Sequence, residues 1–416
     1  MYRKNLLRGI ACTFALATVI TACNKNDDKV APDDETPGTT AKEFKYIRVL
    51  VADQTAATLT QLTPFDSTVA SFTAKFPMAN LYATANGRYA AVLHQGNNLT
   101  EIFDCGLTTH DDHVDEAGAP KWAAITATGG KPTHFKSHGA ESLIFNDNDG
   151  TLSLGTEADF NTAGATFKTI NANLLPHHGA MASFDNGTIA VTTTTVAAQS
   201  PTQVLIIDKN GDHLVTPTLT TGAIHGNAGD GGNAVFGCYT DGTNTAGAVL
   251  VVKSTGEQRL IPNPEGFGAF RLATILYADA ADKFIGYVAT KGAYLVDIKQ
   301  DRISTIYAGD DAFQCKVDYS GKNLLILTLD GKLRIYDLAT GQLTREGTVI
   351  AAVNSTDTYK PVLEATSKNA YIALPGSGEV AQVNLANLAD VVKHKVSAKP
   401  VKLTIIGFES DHSHDE

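Results

Sequence analysis

The feature that most constrains this chain is a repeat. From Asn80 onward one order recurs: a short strand, a polar turn, an apolar strand, a glycine-containing turn, and a third strand ending near an acidic residue. The clearest copy starts at Phe313, where Tyr319-Ser320-Gly321 and Asp330-Gly331 flank alternating apolar residues; Asp-Gly suits the tight turns whose twist matches paired strands. Comparable units start at Asn80, Thr133, His177, Ile224, Phe270, Phe313 and Tyr359, at spacings of 53, 44, 47, 46, 43 and 46 residues. That period is the length of a four-stranded propeller blade.

The reading is therefore an all-β chain forming a single β-propeller of seven blades over residues 44–408. The segment Phe44 to Leu62 supplies an extra strand pair that closes the ring by joining N- and C-terminal strands in one sheet, which removes exposed edges. Two packed sandwiches would use the same strands and are the alternative architecture. The 53-residue spacing contains an insertion, residues 107–120, and insertions in such arrays map to loops on one face, often the one that binds.

Composition supports a large core and excludes some partners. The 416 residues are 43% apolar and 19% charged, which rules out disorder. A net charge of −11 repels a phosphate backbone, so nucleic acid is not an expected partner.

The first residues carry an address. Arg3, Lys4 and Arg8 precede an apolar run from Gly9 to Ala22 that is too short to span a bilayer. Residues 1–22 thus read as a signal peptide. Ile20-Thr21-Ala22-Cys23 resembles the bacterial lipobox, with Cys23 as the lipidation site and membrane anchor. Asn24 after Cys23 resembles the outer-membrane delivery pattern, and Asp27 and Asp28 resemble surface-export tethers. The expected location is the cell envelope, lipid-anchored, facing the periplasm or the cell surface, and the expected state is monomeric. Residues 23–43 read as a lipidated flexible tether. Loss of the leader leaves 30 basic against 44 acidic residues, a balance of −14, which accumulates cations. It also leaves Cys105, Cys238 and Cys315 in an oxidising compartment, where one disulfide and one buried thiol are expected, with Cys105 and Cys238 as the pair.

The histidines carry the chemistry. His134, His178 and His225 occupy nearly the same phase of three consecutive units, about ten residues before each apolar strand, at separations of 44 and 47 residues. Equivalent positions in a propeller ring its channel, so three imidazoles should converge on one axis. Three neutral imidazoles with an open position suit Zn²⁺, though donor type alone does not separate it from Cu²⁺ or Ni²⁺. Later units place Arg271, Gln314 and Lys360 near that phase, confining the donors to one side. His177 and His138 are candidates to replace one of the three or to support them, and Glu141 and Asp104 to orient an imidazole N–H. His94 reads as structural.

The insertion holds a second cluster, His110, Asp111, Asp112, His113, Asp115 and Glu116, which reads either as a mobile metal-capture loop or as a solvated acidic loop. The tail, residues 409–416, repeats the mixture with His412 and His414. Asn146-Asp147-Asn148-Asp149-Gly150 has no glutamate at the twelfth position of a calcium loop and reads as a hairpin turn. No H-E-x-x-H, G-x-S-x-G or CxxCH occurs, so the chain is not expected to be an enzyme.

The segments FDCGLTTHDDHVDE, GGKPTHFKSHGAESLIFNDNDGTLSL, LLPHHGAMASFDNGTIAVT and IHGNAGDGGNAVFGC together resemble the AztD-type periplasmic zinc metallochaperones, over roughly residues 81–400. That resemblance implies a propeller that delivers Zn²⁺ to the solute-binding protein of a zinc ABC transporter. It implies zinc binding by His134, His138, His178 and His225, with His110 and His113 in the capture loop. The lipid anchor departs from a freely diffusing chaperone. The alternative reading is a metal-independent interaction propeller on the cell surface. A metal-assisted hydrolase would need a general base, for which Glu141 is the one candidate.

Overall fold

The computed structural model describes residues 45–110, 113–289 and 291–409. The signal peptide, Cys23, the tether, Asp111, Asp112 and the His412/His414 tail lie outside the described residues.

Eight four-stranded antiparallel sheets make up the ring, one more than the repeat implies. Blade 1 runs from Asn80 and blade 2 comprises Pro132–His138, Glu141–Asn146, Thr151–Thr156 and Lys168–Ile170. Blade 3 starts at Met181, blade 4 at His225, blade 5 at Thr274, blade 6 at Ala312 and blade 7 at Val362. The seven units read from sequence are all present. The eighth is split between the chain ends: Ile47–Asp53, Thr58–Thr63 and Thr68–Thr73 form its outer three strands and Pro400–Gly407 its first. Three N-terminal strands, not a pair, follow Phe44, and with the C-terminal strand they make an eighth blade. Terminal closure is as expected, with Ile47 opposite Gly407 and Val51 opposite Leu403.

The first strands of successive sheets contact one another around the axis. The second strands carry an apolar run buried on both faces, as in Tyr89–His94 and Asn323–Thr328. The core therefore lies between blades. Leu143, Phe145 and Leu152 of blade 2 meet Met181, Val191 and Ile207 of blade 3 in one such layer. Each large side chain buried there contributes about 1.5–3 kcal/mol of transfer free energy.

Strand order also assigns faces. Each first strand starts, and each second strand ends, on one face, called upper here; first-to-second and third-to-fourth connections lie on the lower. The insertion joins the third and fourth strands of blade 1, so it belongs to the lower face. It forms a two-stranded hairpin, Leu107–His110 with His113–Glu116, in which His110 pairs with His113. The expected disulfide is absent: Cys105, Cys238 and Cys315 are free and buried, on blades 1, 4 and 6. Burial pushes the Cys105 thiol up to about 11 and those of Cys238 and Cys315 to about 12, so none is a ready thiolate ligand.

A histidine cluster at the channel mouth

Three imidazoles meet at the upper mouth of the channel. His134 stands near the start of the first strand of blade 2, His178 just before that of blade 3, and His225 opens that of blade 4. Their ring centroids are 4.7 Å (His134 to His178), 5.4 Å (His178 to His225) and 6.3 Å (His134 to His225) apart. His134 Nε2 lies 3.2 Å from His178 Nε2.

Local backbone devices set these positions. Register slips at a bulge between Pro132 and His134 and again between His225 and Asn227, which re-aims the histidine side chains. Gly226 makes the second bulge possible: its φ is +72°, and a Cβ there would come 2.2 Å from the Ala273 carbonyl oxygen. Gly179 follows His178 because a Cβ would come 2.2 Å from the Phe145 ring.

Hydrogen bonds then fix which nitrogen faces the channel. His225 Nδ1 lies 2.9 Å from the Ala273 carbonyl oxygen, which only accepts, so Nδ1 carries the proton and Nε2 keeps its lone pair. His178 Nδ1 lies 2.9 Å from Oδ2 of buried Asp147. Burial raises the Asp147 carboxyl, but hydrogen bonds with His178 and Thr133 and the charges of His178 and Lys131 outweigh it and leave it below the usual carboxylate range. An ionised Asp147 makes Nδ1 of His178 the donor and again frees Nε2. His134 Nε2 and His178 Nε2 then face each other and share one proton, where a cation would bind instead.

Burial, followed by the charges of His178, His225 and Lys136, holds His134 down at about 4. Burial first, then the charges of Arg271 and His178, also lowers His225. Both rings are therefore neutral at pH 7. The spacing suits an ion in part. Two nitrogens ~2.0–2.1 Å from a tetrahedral Zn²⁺ stand roughly 3.3 Å apart, close to the 3.2 Å between His134 and His178. Among the described residues no three His, Cys, Asp or Glu side chains stand in finished metal-holding geometry. His134 and His178 have ligand spacing, and His225 joins them only by moving inward.

The other candidates fall elsewhere. His177 is buried with both nitrogens engaged, Nδ1 2.7 Å from the Leu175 carbonyl and Nε2 3.1 Å from Thr192 Oγ1, and its ring meets Phe145 edge-on at 5.0 Å. It positions its neighbour His178 and has no lone pair to offer. His138 ends the strand Pro132–His138 near whose start His134 stands, and four residues of strand cover ~13 Å; it sits on the lower face, 2.9 Å from Asp185 Oδ1. It is not part of the cluster.

Neither expected orienting carboxylate serves. Asp104 holds Arg88 at 2.9 and 2.8 Å, and Glu141 holds Lys209 at 2.6 Å, so Glu141 is no base beside the cluster either. The role falls to Asp147, in the Asp-rich turn that follows the second strand of blade 2 and so stands at its upper end, next to the histidines. His94 is buried, 2.8 Å from Glu101. The hairpin with His113 and Asp115 lies on the face opposite the cluster, so it is not a loop that closes over it; the sequence marks an insertion but not the face that its strand position selects.

No family model matches the chain, and no curated protein matches it. Among solved structures, AztD from Citrobacter koseri aligns with a TM-score of 0.77 at 20% identity over 88% of this chain and 100% of that one. Its apo form gives 0.76 at 20% identity over 87% and 98%. The dihydro-heme d1 dehydrogenase NirN, in complex with DHE, gives 0.59 at 11% identity over 87% of this chain and 75% of its own. The chain has the fold of AztD.

Proposed function

We propose that this protein is a lipid-anchored carrier of Zn²⁺ outside the cytoplasm, which loads the ion at His134, His178 and His225 and passes it to the solute-binding protein of a zinc ABC transporter. The observation that carries the reading is the paired approach of two Nε2 atoms, 3.2 Å apart, each from a ring held at the mouth of the channel by its blade. The Nδ1 bonds to Asp147 and the Ala273 carbonyl support it, since a hydrogen bond at one ring nitrogen fixes the other as a ligand. The sequence resemblance to zinc metallochaperones and the AztD fold point the same way.

Zn²⁺ is cargo here, and the site suits cargo. Three imidazoles leave a fourth position open, so an incoming ligand can bind before an old one leaves. The cluster opens on the upper face, where a recipient has access. On this reading residues 1–22 are a signal peptide and a lipidated Cys23 holds the propeller at the envelope membrane through its tether. The lower-face hairpin does not reach the cluster directly, so any ion gathered by His113 and Asp115 must leave that face before it is loaded.

The test is zinc content and competition with a chelator, on protein purified without a His-tag. One equivalent of Zn²⁺ is expected in the parent, and His134→Ala with His225→Ala should abolish stoichiometric uptake. Unchanged uptake in the double variant refutes the site and leaves the metal-independent interaction propeller.

A further inference from the structure

Part of the layer between blades 7 and 8 is polar where its counterparts are apolar. The third residue of the second strand pairs with Ile102, Leu154, Val251, Leu295 and Ile335 on the third strands of blades 1, 2, 4, 5 and 6. In blade 7 the corresponding partner of Tyr371 is Gln382. Alternate residues of a strand share a face, so Gln382 and Asn384 lie on the side that packs Val380 against Ile47, Val49 and Leu62 of blade 8. His394 and Asn369, the cross-strand partners of Val380 and Asn384, are on that side too.

These groups line a cleft of about 680 Å³, within the size range of small-molecule pockets. Asn369 and His394 are each only 5% exposed. The Asn369 side-chain amide has no hydrogen-bond partner among the described residues; only its backbone N–H and carbonyl are bonded, to Thr366. His394 Nε2 lies 3.0 Å from Gln382 Oε1, which only accepts, so Nε2 carries the proton and Nδ1 keeps its lone pair. Burial lowers the His394 imidazole, which keeps it neutral at pH 7. Polar groups this buried cost free energy unless something binds them. Phe65, in the turn between the third and fourth strands of blade 8, also lines the cleft and is 40% exposed. Its turn is fixed: Asp66 Oδ1 accepts from Thr68 N and Oγ1 at 3.0 and 2.7 Å, and Ser67 takes a φ of 61°.

We propose that this cleft is a second binding site, for a neutral saccharide whose ring lies on Phe65 and whose hydroxyls meet Asn369, Gln382 and His394. A hydroxyl both donates and accepts, and the cleft offers both: N–H groups from the two amides, and acceptors in the Asn369 oxygen and His394 Nδ1. The exposed aromatic ring gives the apolar face of a sugar a surface to cover. Arg345, Lys368 and Asp390 at the edge carry both signs, so the lining does not select an ionic group. Packing does not account for the polar residues, since aliphatic ones fill the same place in other blades. The cleft belongs to blades 7 and 8, apart from the histidines of blades 2 to 4, and stands whether or not those bind Zn²⁺.

The experiment titrates the full chain with glucose, galactose, mannose, N-acetylglucosamine and their disaccharides, followed by saturation-transfer NMR on the sugar, with glycerol as a ringless polyol control. At least one sugar should bind saturably, and glycerol should not. Gln382→Leu installs the kind of side chain that the other blades carry, and Phe65→Ser alters only an exposed turn residue, so both variants should keep the parent's melting temperature and Zn²⁺ uptake. Each should weaken sugar binding about tenfold, the scale of one lost hydrogen bond or ring contact. Absence of saturable binding by every sugar, an equal response to glycerol, or folded variants that bind as the parent does would each overturn the proposal and leave a hydrated cleft. Zn²⁺ uptake by the parent is read separately, so the two sites stand or fall independently.

Discussion

Asp147 fixes the tautomer of His178, and so decides which nitrogen of that ring faces the channel. Removing its charge while keeping its shape should show that control: Asp147→Asn is expected to lower Zn²⁺ affinity by about 10–100-fold, the range for partners that orient a ligating imidazole, with the circular dichroism spectrum unchanged. Affinity equal to the parent's would mean that His178 needs no orientation or is not a ligand. The lowered imidazoles make a second claim at this scale. His134 is held at about 4 by burial and by the charges of His178, His225 and Lys136, and burial also lowers His225 and His177. In the unfolded chain the same rings take up protons near ~6.5. Between those values the unfolded state binds more protons than the folded one, so stability of the ion-free protein is full above ~6.5, falls as pH drops through that range and stops falling, for His134, below about 4. Urea midpoints at pH 7.5 and 4.5 measure this, and His134→Gln should lessen the difference between them. Binding inherits the shift: His134 competes with protons for the ion well below the ~6.5 expected of a free imidazole.

Single glycines let the elements hold these rings. Gly179 lies between His178 and the apolar layer that joins blades 2 and 3, and Phe145 fills the space a side chain would need. Gly179→Ala is expected to cost about 1–3 kcal/mol through overpacking and to weaken Zn²⁺ binding as His178 is pushed off its partner. Denaturant unfolding and zinc competition on the same sample check both parts; a variant as stable as the parent would show that Phe145 can yield. The blade pattern shows how far local signals reach. The strand-turn-strand units are legible because each second strand carries an apolar run bounded by polar or turn residues, and the histidine phase is legible because inner strands repeat in register. What the pattern did not disclose is side-chain direction. His177 and His178 are neighbours in sequence, yet one turns into the layer between Phe145 and Thr192 while the other turns to the channel. His138 shares a strand face with His134, but the strand's length carries it to the opposite mouth.

At the scale of the whole ring, the repeat implies seven blades because the closing blade has no contiguous copy: its strands come from residues 47–73 and 400–407. The expected disulfide does not form for a related reason, since cysteine count says nothing of which blades carry the thiols, and the three belong to separate blades. The insertion shows the same limit, because a hairpin is visible in the residues but its face depends on which pair of strands it joins. Closure itself carries the last prediction. Deleting residues 400–416 would strip the inner strand from blade 8, expose the hydrogen-bonding edge of Ile47–Asp53, and remove the buried Val401, Leu403, Ile405 and Ile406. At about 1.5–3 kcal/mol for each buried aliphatic side chain, the loss rivals the 5–15 kcal/mol that holds a typical domain folded. The truncated chain should therefore be insoluble or lack a cooperative thermal transition. A circular permutant that links residue 409 to residue 45 and opens between Asn263 and Gly268 keeps every strand but moves the break to the junction of blades 4 and 5. It should fold with a lower melting temperature than the parent, because no strand from one chain end then closes a sheet from the other. A truncated chain that melts like the parent would mean that ring closure contributes little, and that the packing between the remaining blades suffices to hold the histidines together.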